Sequence, residues 1–316
     1  MKKTQFLPFL LVLPLLAGCD GTVKEPKFKK AGDKVEFAAF QEALDKLMKE
    51  NALLKSEKGY YRPSYEVTAE VEGSEELSLK RGKDVLEESK EYNKTTLKLQ
   101  GDADNLVTKR VQETDYQETQ SDKTGKGSSV GSSKSTFYGQ SYKENDAEYF
   151  VTAQMEGKYF TVSKSDQVSE DQALKDLYES QFSVSTVLMN SLVNSFLTKY
   201  AMANDELKAK YSFYMKKDVF TAEFKNEEIT DSTNYSTVKV ETVKFQLDLS
   251  NNEKVEFSHY SETETTETIK VSDMDEIEGD VTHKLKKSVT TAKAAKKNVH
   301  LKPQKLDKFT KYEFGK

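Results

Sequence analysis

Apolar side chains recur at every second position along most of this chain, which is the pattern of β-strands with one face toward a core. The clearest run alternates apolar and polar residues from Tyr65 to Glu72. This pattern predicts mainly antiparallel strands within residues 64–116, 137–162 and 212–292. The apolar phase changes between Val240 and Val243, and this change predicts a β-bulge there.

Two segments have the period of a helix instead. Phe37, Phe40, Leu44 and Leu47 share one face, and they predict a helix near residues 36–55 that starts with a capping box at Asp33 and Glu36. A second helical region is predicted near residues 170–205. Residues 121–135 are rich in Ser, Gly and Lys, which indicates a mobile hairpin loop.

The order of these elements predicts the fold class. Strands precede and follow a central helical region, and no internal repeat is evident. We therefore expect an α+β fold in which a large curved, half-barrel-like antiparallel sheet packs on a few helices.

The first 19 residues carry the most specific signal. Lys2 and Lys3 precede an apolar run from Phe6, which two prolines interrupt and which ends at Cys19, the only cysteine of the chain. A spanning helix needs about 20 apolar residues, so this shorter run indicates an export signal that is removed from the mature chain.

Leu16-Ala17-Gly18-Cys19 resembles the lipobox of bacterial lipoproteins. The resemblance implies that the thiol of Cys19 carries a diacylglyceryl group and that an acyl chain such as palmitate modifies the new N-terminus. It divides the chain into a signal peptide (1–18), a lipidated tether (19–34) and one α+β domain (35–316). The expected localisation is the outer face of the cytoplasmic membrane, with Cys19 as the contact to lipid.

Composition excludes several classes of function. The formal net charge is −5, so an exported protein of this kind is not expected to bind nucleic acid. The sequence contains no nucleophile elbow, phosphate loop or dinucleotide fingerprint, and no zinc-ligand spacing. We therefore expect no enzyme, no catalytic residue, no metal site and no cofactor, with a hydrolase that uses two of the 53 acidic residues as the alternative.

The strand histidines and the uneven distribution of charge each allow two interpretations. His259 and His283 fall in strands, either as a metal or acid–base pair or, as we favour, as partly buried sheet residues. Acidic residues dominate 253–280 and lysines dominate 283–316. These segments either pair across neighbouring strands, which we favour, or present lysines to anionic lipid head groups.

Residues 181–202 form the most suggestive part of the helical region. They are apolar around more than half the circumference and carry no charge before Lys199. They form either a core helix or a helix that lines an apolar cavity. In the second case the ligand-binding residues are Leu188, Leu192 and Phe196.

The order of elements over residues 35–309 is similar to that of the LolA- and LppX-like carriers, in which a curved sheet wraps helices around an acyl-binding cavity. The resemblance implies a membrane-anchored lipoprotein that binds a lipid or another amphiphile. The alternative is a surface interaction or structural lipoprotein without a ligand cavity. Neither hypothesis identifies a protein partner.

Overall fold

A single antiparallel sheet dominates the structure, a computed structural model that describes residues 23–54, 64–144, 147–156, 159–164, 192–270 and 279–303. Its twelve strands lie in the order β1-β8-β9-β10-β11-β12-β2-β3-β4-β5-β6-β7. Their bounds are β1 Asp33–Val35, β2 Tyr65–Arg81, β3 Asp84–Asp102, β4 Val107–Asp122, β5 Gly125–Glu144, β6 Ala147–Glu156, β7 Tyr159–Lys164, β8 Tyr211–Lys216, β9 Val219–Asp231, β10 Tyr235–Asp248, β11 Lys254–Ile269 and β12 Asp280–Lys296.

The described helices are short. They are α1 (Phe37–Glu50), the helical residues 192–202 (α2) and α3 (Asp205–Lys208). The predicted α+β class is therefore wrong, because the described chain is mostly one antiparallel β-sheet. The strands do lie where the period of two predicted them, but several extend to between 16 and 20 residues.

Helix α1 packs its predicted apolar stripe into the core, with Phe40 and Leu44 buried. The predicted capping box is wrong, since Glu36 stands at the N-cap without a side-chain cap hydrogen bond. Asp33 instead belongs to β1, which pairs with β8 and forms the edge of the sheet. Pairing with this edge satisfies backbone groups that β8 would otherwise leave open.

The predicted loop at residues 121–135 is also wrong, because the hairpin between β4 and β5 continues in regular register to its tip. The Asp122 carboxylate accepts hydrogen bonds from the backbone N–H groups of Thr124 (2.7 Å) and Gly125 (3.1 Å). Backbone pairing and this capped turn hold the strands, although the segment has little apolar surface to bury.

The β-bulge predicted between Val240 and Val243 is absent. Strand β10 keeps one continuous register with β9 and β11. The two apolar phases arise because strand β10 extends beyond the end of the core. Val243 packs against the core on one face, whereas Val240, on the other face, is 39% exposed.

The sheet has two covered faces. The helices pack on the first, here called the helical face, over an aromatic core centred on Phe40, Phe213 and Phe245. The segment 23–30 packs on the opposite face, called the tether face, where Val23 contacts Tyr260 and Val289. Gly32 lets the chain pass between the faces at the sheet edge, since a Cβ there would lie 1.8 Å from the carbonyl oxygen of Met215.

The core also divides the strands along their length. Their packed end carries the fully buried side chains Val67, Leu99, Phe220, Phe245 and Phe257. Their extended end, which includes Glu76, Lys90, Glu118, Glu228 and Val240, continues beyond the core with mostly polar side chains.

Candidate functional site

A groove of about 690 Å³ lies on the helical face, where the aromatic core of the packed end stops. Helix α2 and the turn after it form one wall, and strands β8 to β12 form the floor. The lining residues are Leu192, Ser195, Phe196, Lys199, Met202, Ala203, Leu207, Tyr211, Phe224, Asn226, Glu228, Glu241, Val243, His259, Ser261, Thr263, Lys286 and Ser288.

The apolar wall contains two of the three residues predicted to bind a ligand. Leu192 is half-buried, and Phe196 is buried against the aromatic core, with its ring 5.3 Å from that of Tyr211 and 5.1 Å from that of Phe245. Leu188 lies outside the described residues. Residues 181–191 of the predicted helix also lie outside them, and its described part, α2, packs on the aromatic core and borders the groove.

The polar floor centres on His259, which is only 7% exposed. Burial, with a smaller contribution from the charge of Lys199, lowers the pKa of the imidazole from 6.5 to about 4. Its Nδ1 atom is buried and has no hydrogen-bond partner within the described parts of the chain. A neutral, incompletely paired imidazole therefore borders the groove.

Charged side chains surround this floor. Lys199 is exposed, and among the described residues no carboxylate lies within ion-pair distance of it. Lys286 is 3.5 Å from a Glu75 oxygen, and Glu241 is 3.3 Å from the ammonium of Lys239. Among the described lining residues, Lys199 is thus the cation that remains available to a ligand.

The two strand histidines do not form a pair. In the register of β11 and β12, His259 is opposite Thr290 and His283 is opposite Thr266, so their side chains lie on opposite faces. His283 Nε2 is 2.8 Å from a Glu264 oxygen. The favoured interpretation as sheet residues holds for both, but period-two phasing alone did not show that His259 would border a groove.

The acidic and basic segments pair across neighbouring strands, as the favoured interpretation predicted. Lys287 lies 3.6 Å from Glu262 across β11 and β12, and Lys296 lies 2.6 Å from Glu253. These ion pairs occupy part of the lysine-rich end. Cross-strand pairs of opposite charge stabilise a sheet without specifying a ligand.

The tether face has a hollow of about 700 Å³ beneath Lys27 and Lys29, and its charges are largely paired. Lys29 binds Asp248 and lies 3.1 Å from Glu256, while the Gln246 side chain donates to the Lys29 carbonyl oxygen (3.0 Å). These contacts fix segment 23–30 on the sheet. The hollow is therefore a consequence of this docking. Its charged groups are largely paired, unlike Lys199 in the groove on the helical face.

No group of three or more His, Cys, Asp or Glu side chains in the described parts of the chain is placed to hold a metal ion. Within the same ranges, no helix has both the length and the apolar character needed to cross a membrane. The acidic residues Asp273, Asp275, Glu276 and Glu278 near the end of segment 253–280 lie outside the described residues, and Asp280 itself pairs with Arg81 at 2.8 Å.

No protein-family model matches the sequence, and no curated protein matches it. Solved structures match with low similarity. They include the COG4313 outer membrane channel from Pseudomonas putida F1 (8% identity, TM-score 0.21, 73% of this chain and 95% of that chain) and the outer membrane protein OprG from Pseudomonas aeruginosa (7%, 0.16, 75% and 97%). The outer membrane protease OmpT from Escherichia coli matches similarly (6%, 0.16, 73% and 96%).

These TM-scores are too low for the likeness to support an argument about the fold or activity of this chain. All three matched structures belong to outer membrane proteins, and none of them has the address predicted for this chain, the outer face of the cytoplasmic membrane. That localisation is withdrawn, and the low scores assign no other membrane in its place.

Proposed function

We propose that this protein is an exported lipoprotein that binds an amphiphile in the groove beside α2. The groove itself carries the proposal, because it joins an apolar wall at Leu192 and Phe196 to a polar floor at His259. Ligand pockets commonly have volumes of about 300 to 1,000 Å³ and combine apolar walls with a few placed polar groups. A molecule with an apolar chain and one polar end matches this distribution.

The lipid anchor is proposed from the sequence around Cys19. Only three residues separate Cys19 from Val23, which is 2% exposed on the tether face. At about 3.5 Å per extended residue, an anchor at Cys19 would lie within roughly 14 Å of the docked Val23. The body would then lie close to the lipid surface, rather than at the end of a long free tether.

Lipid analysis tests this function. Residues 20–316, produced without the anchor, should carry an extractable amphiphile that mass spectrometry detects. Leu192→Trp should fill the groove and reduce the bound amphiphile at little cost in stability, because Leu192 borders open space. Leu247→Trp is the matched control, since Leu247 is buried in filled core and overpacking there typically costs about 1–3 kcal/mol.

The proposal fails if the wild-type protein carries no amphiphile and Leu192→Trp destabilises it as much as Leu247→Trp. Labelling with a fatty acid tests the anchor separately. Cys19→Ala should abolish the label and leave the precursor unprocessed, so a labelled Cys19→Ala protein would contradict the lipobox assignment.

A second candidate is a surface interaction lipoprotein. The observation that favours it is the extended end of the sheet, where Ile229 and Val240 leave apolar surface exposed on the tether face. Ile229→Lys should then weaken capture of the partner without changing the bound amphiphile. An Ile229→Lys protein that retains every partner captured by the wild type would contradict this candidate.

A further inference from the structure

The buried histidine of the groove indicates what kind of head group the ligand has. His259 borders the groove, but its Nδ1 atom is withdrawn from solvent and has no partner in the described structure. A neutral imidazole carries one N–H, and its position follows from the hydrogen bonds that each nitrogen makes. A buried N–H without an acceptor is rarer than an unpaired acceptor, so the proton belongs on Nε2.

The surrounding charges limit the charge of the head group. Lys199 supplies a cation with no carboxylate partner among the described residues, whereas Lys286 shares its charge with Glu75. Glu228 and Glu241 also line the groove, and they repel a doubly charged head group about twice as strongly as a singly charged one. The arrangement therefore favours a head group with a single negative charge over a doubly charged phosphate.

We propose that the groove binds a single-chain amphiphile with a carboxylate head, as in a free fatty acid. His259 Nε2–H and Lys199 Nζ donate to the carboxylate oxygens, and the acyl chain lies along Leu192 and Phe196. This inference rests on the proposed amphiphile-binding function and adds the chemistry of the head group. Hydrogen bonds to a charged group are stronger than neutral ones, so the head group contributes selectivity as well as affinity.

Photolabelling tests the head group in membranes from cells that make the full chain. The probe is hexadecanoic acid with a diazirine in its chain, and the labelled peptides are identified by mass spectrometry. Hexadecanoic acid, hexadecanol and hexadecane compete with the probe at equal concentration. We expect the acid to compete roughly tenfold better than the alcohol or the alkane at peptides that contain Leu192 or Phe196.

Three variants assign this preference to residues. His259→Leu should remove most of the advantage of the acid, while His259→Gln, which keeps an N–H donor, should retain part of it. Lys199→Met is a second test at an exposed position, where folding is not at risk. Thr290→Val is the matched control, because Thr290 lies opposite His259 on β12, is buried and does not line the groove.

The outcomes separate the two proposals. Equal competition by all three compounds, or an acid preference that survives both His259→Leu and Lys199→Met, overturns the carboxylate site and leaves the groove as a binding site. A probe that labels no groove peptide overturns the amphiphile-binding function itself. Loss of the acid preference in Thr290→Val as well would show that the effect does not arise from His259.

Discussion

The packed and extended ends of the same strands are stabilised in different ways. At the packed end, Phe220, Phe245 and Phe257 are fully buried under the helices. At the extended end, cross-strand contacts hold the strands, such as the ion pair of Lys90 with Glu76 at 2.9 Å and the hydrogen bond that the Ser129 hydroxyl donates to Glu118 at 3.3 Å. Long strands in this sheet therefore continue well beyond the core, and the groove lies at the transition.

The largest expected effect is the loss of an aromatic ring from the packed end. Phe245→Ala should lower the free energy of unfolding by about 3–5 kcal/mol, because Phe245 packs against Phe40 and Phe196 with no exposure. Urea unfolding measures the change. Val130→Ala at the extended end is the control, since Val130 is 58% exposed and its loss should cost less than about 0.5 kcal/mol.

The buried histidine at the transition predicts a pH dependence. Its folded pKa of about 4 lies below the ordinary value of 6.5, so the unfolded chain binds more protons between these values. Stability should therefore fall by about 3 kcal/mol from His259 as pH drops from about 6.5 to 4, and this contribution should change little below pH 4. Urea unfolding at several pH values measures the slope.

His259→Leu is the comparison for this slope. It should remove the contribution between pH 6.5 and 4, while the slope from carboxylates such as Glu75, whose pKa is held low by Lys284, should remain. An unchanged pH profile in His259→Leu would show that the imidazole is not buried in its neutral form.

A smaller effect is expected on the tether face. Val23→Ala should weaken docking of segment 23–30 by about 1–2 kcal/mol, because Val23 is buried against Tyr260 and Val289. Trypsin should then cleave faster after Lys24 and Lys27, while the midpoint of global unfolding changes little. Equal cleavage rates in the variant and the wild type would contradict this docking.

The smallest effect is expected from the ion pairs of the extended end. A double-mutant cycle on Lys90 and Glu76 should give a coupling of about 0.2–1 kcal/mol that weakens with added salt, because both side chains keep contact with solvent. A coupling that is insensitive to salt would indicate a buried contribution that the exposure of these groups does not support.

Sequence patterns predicted the positions of the strands better than they predicted the fold class. Alternation placed the strands, and the apolar stripe identified α1, because both patterns reflect burial on one face. Residues 121–135, which were predicted as a loop, lie mostly in strands β4 and β5, because backbone pairing between strands needs few apolar side chains. The predicted bulge near Val240 failed because the sequence does not show where a strand passes the end of its core.

The groove was only partly predictable. The apolar, uncharged stretch of α2 indicated Leu192 and Phe196, and the structure places both on the groove wall. His259 and Lys199 come from separate elements, and their proximity depends on strand register and on the placement of α2 against β11. A single sequence carries no local signal for such long-range proximity.

The most direct measurement of the central claim is a map of where an amphiphile contacts the protein. The full chain in membranes is irradiated with a photoreactive fatty acid, and the labelled residues are located by mass spectrometry. The account predicts labels concentrated in peptides that contain Leu192, Phe196, Tyr211 or Val243, with labelling reduced in Leu192→Trp. Labels confined to the extended end, or unchanged in Leu192→Trp, would contradict it.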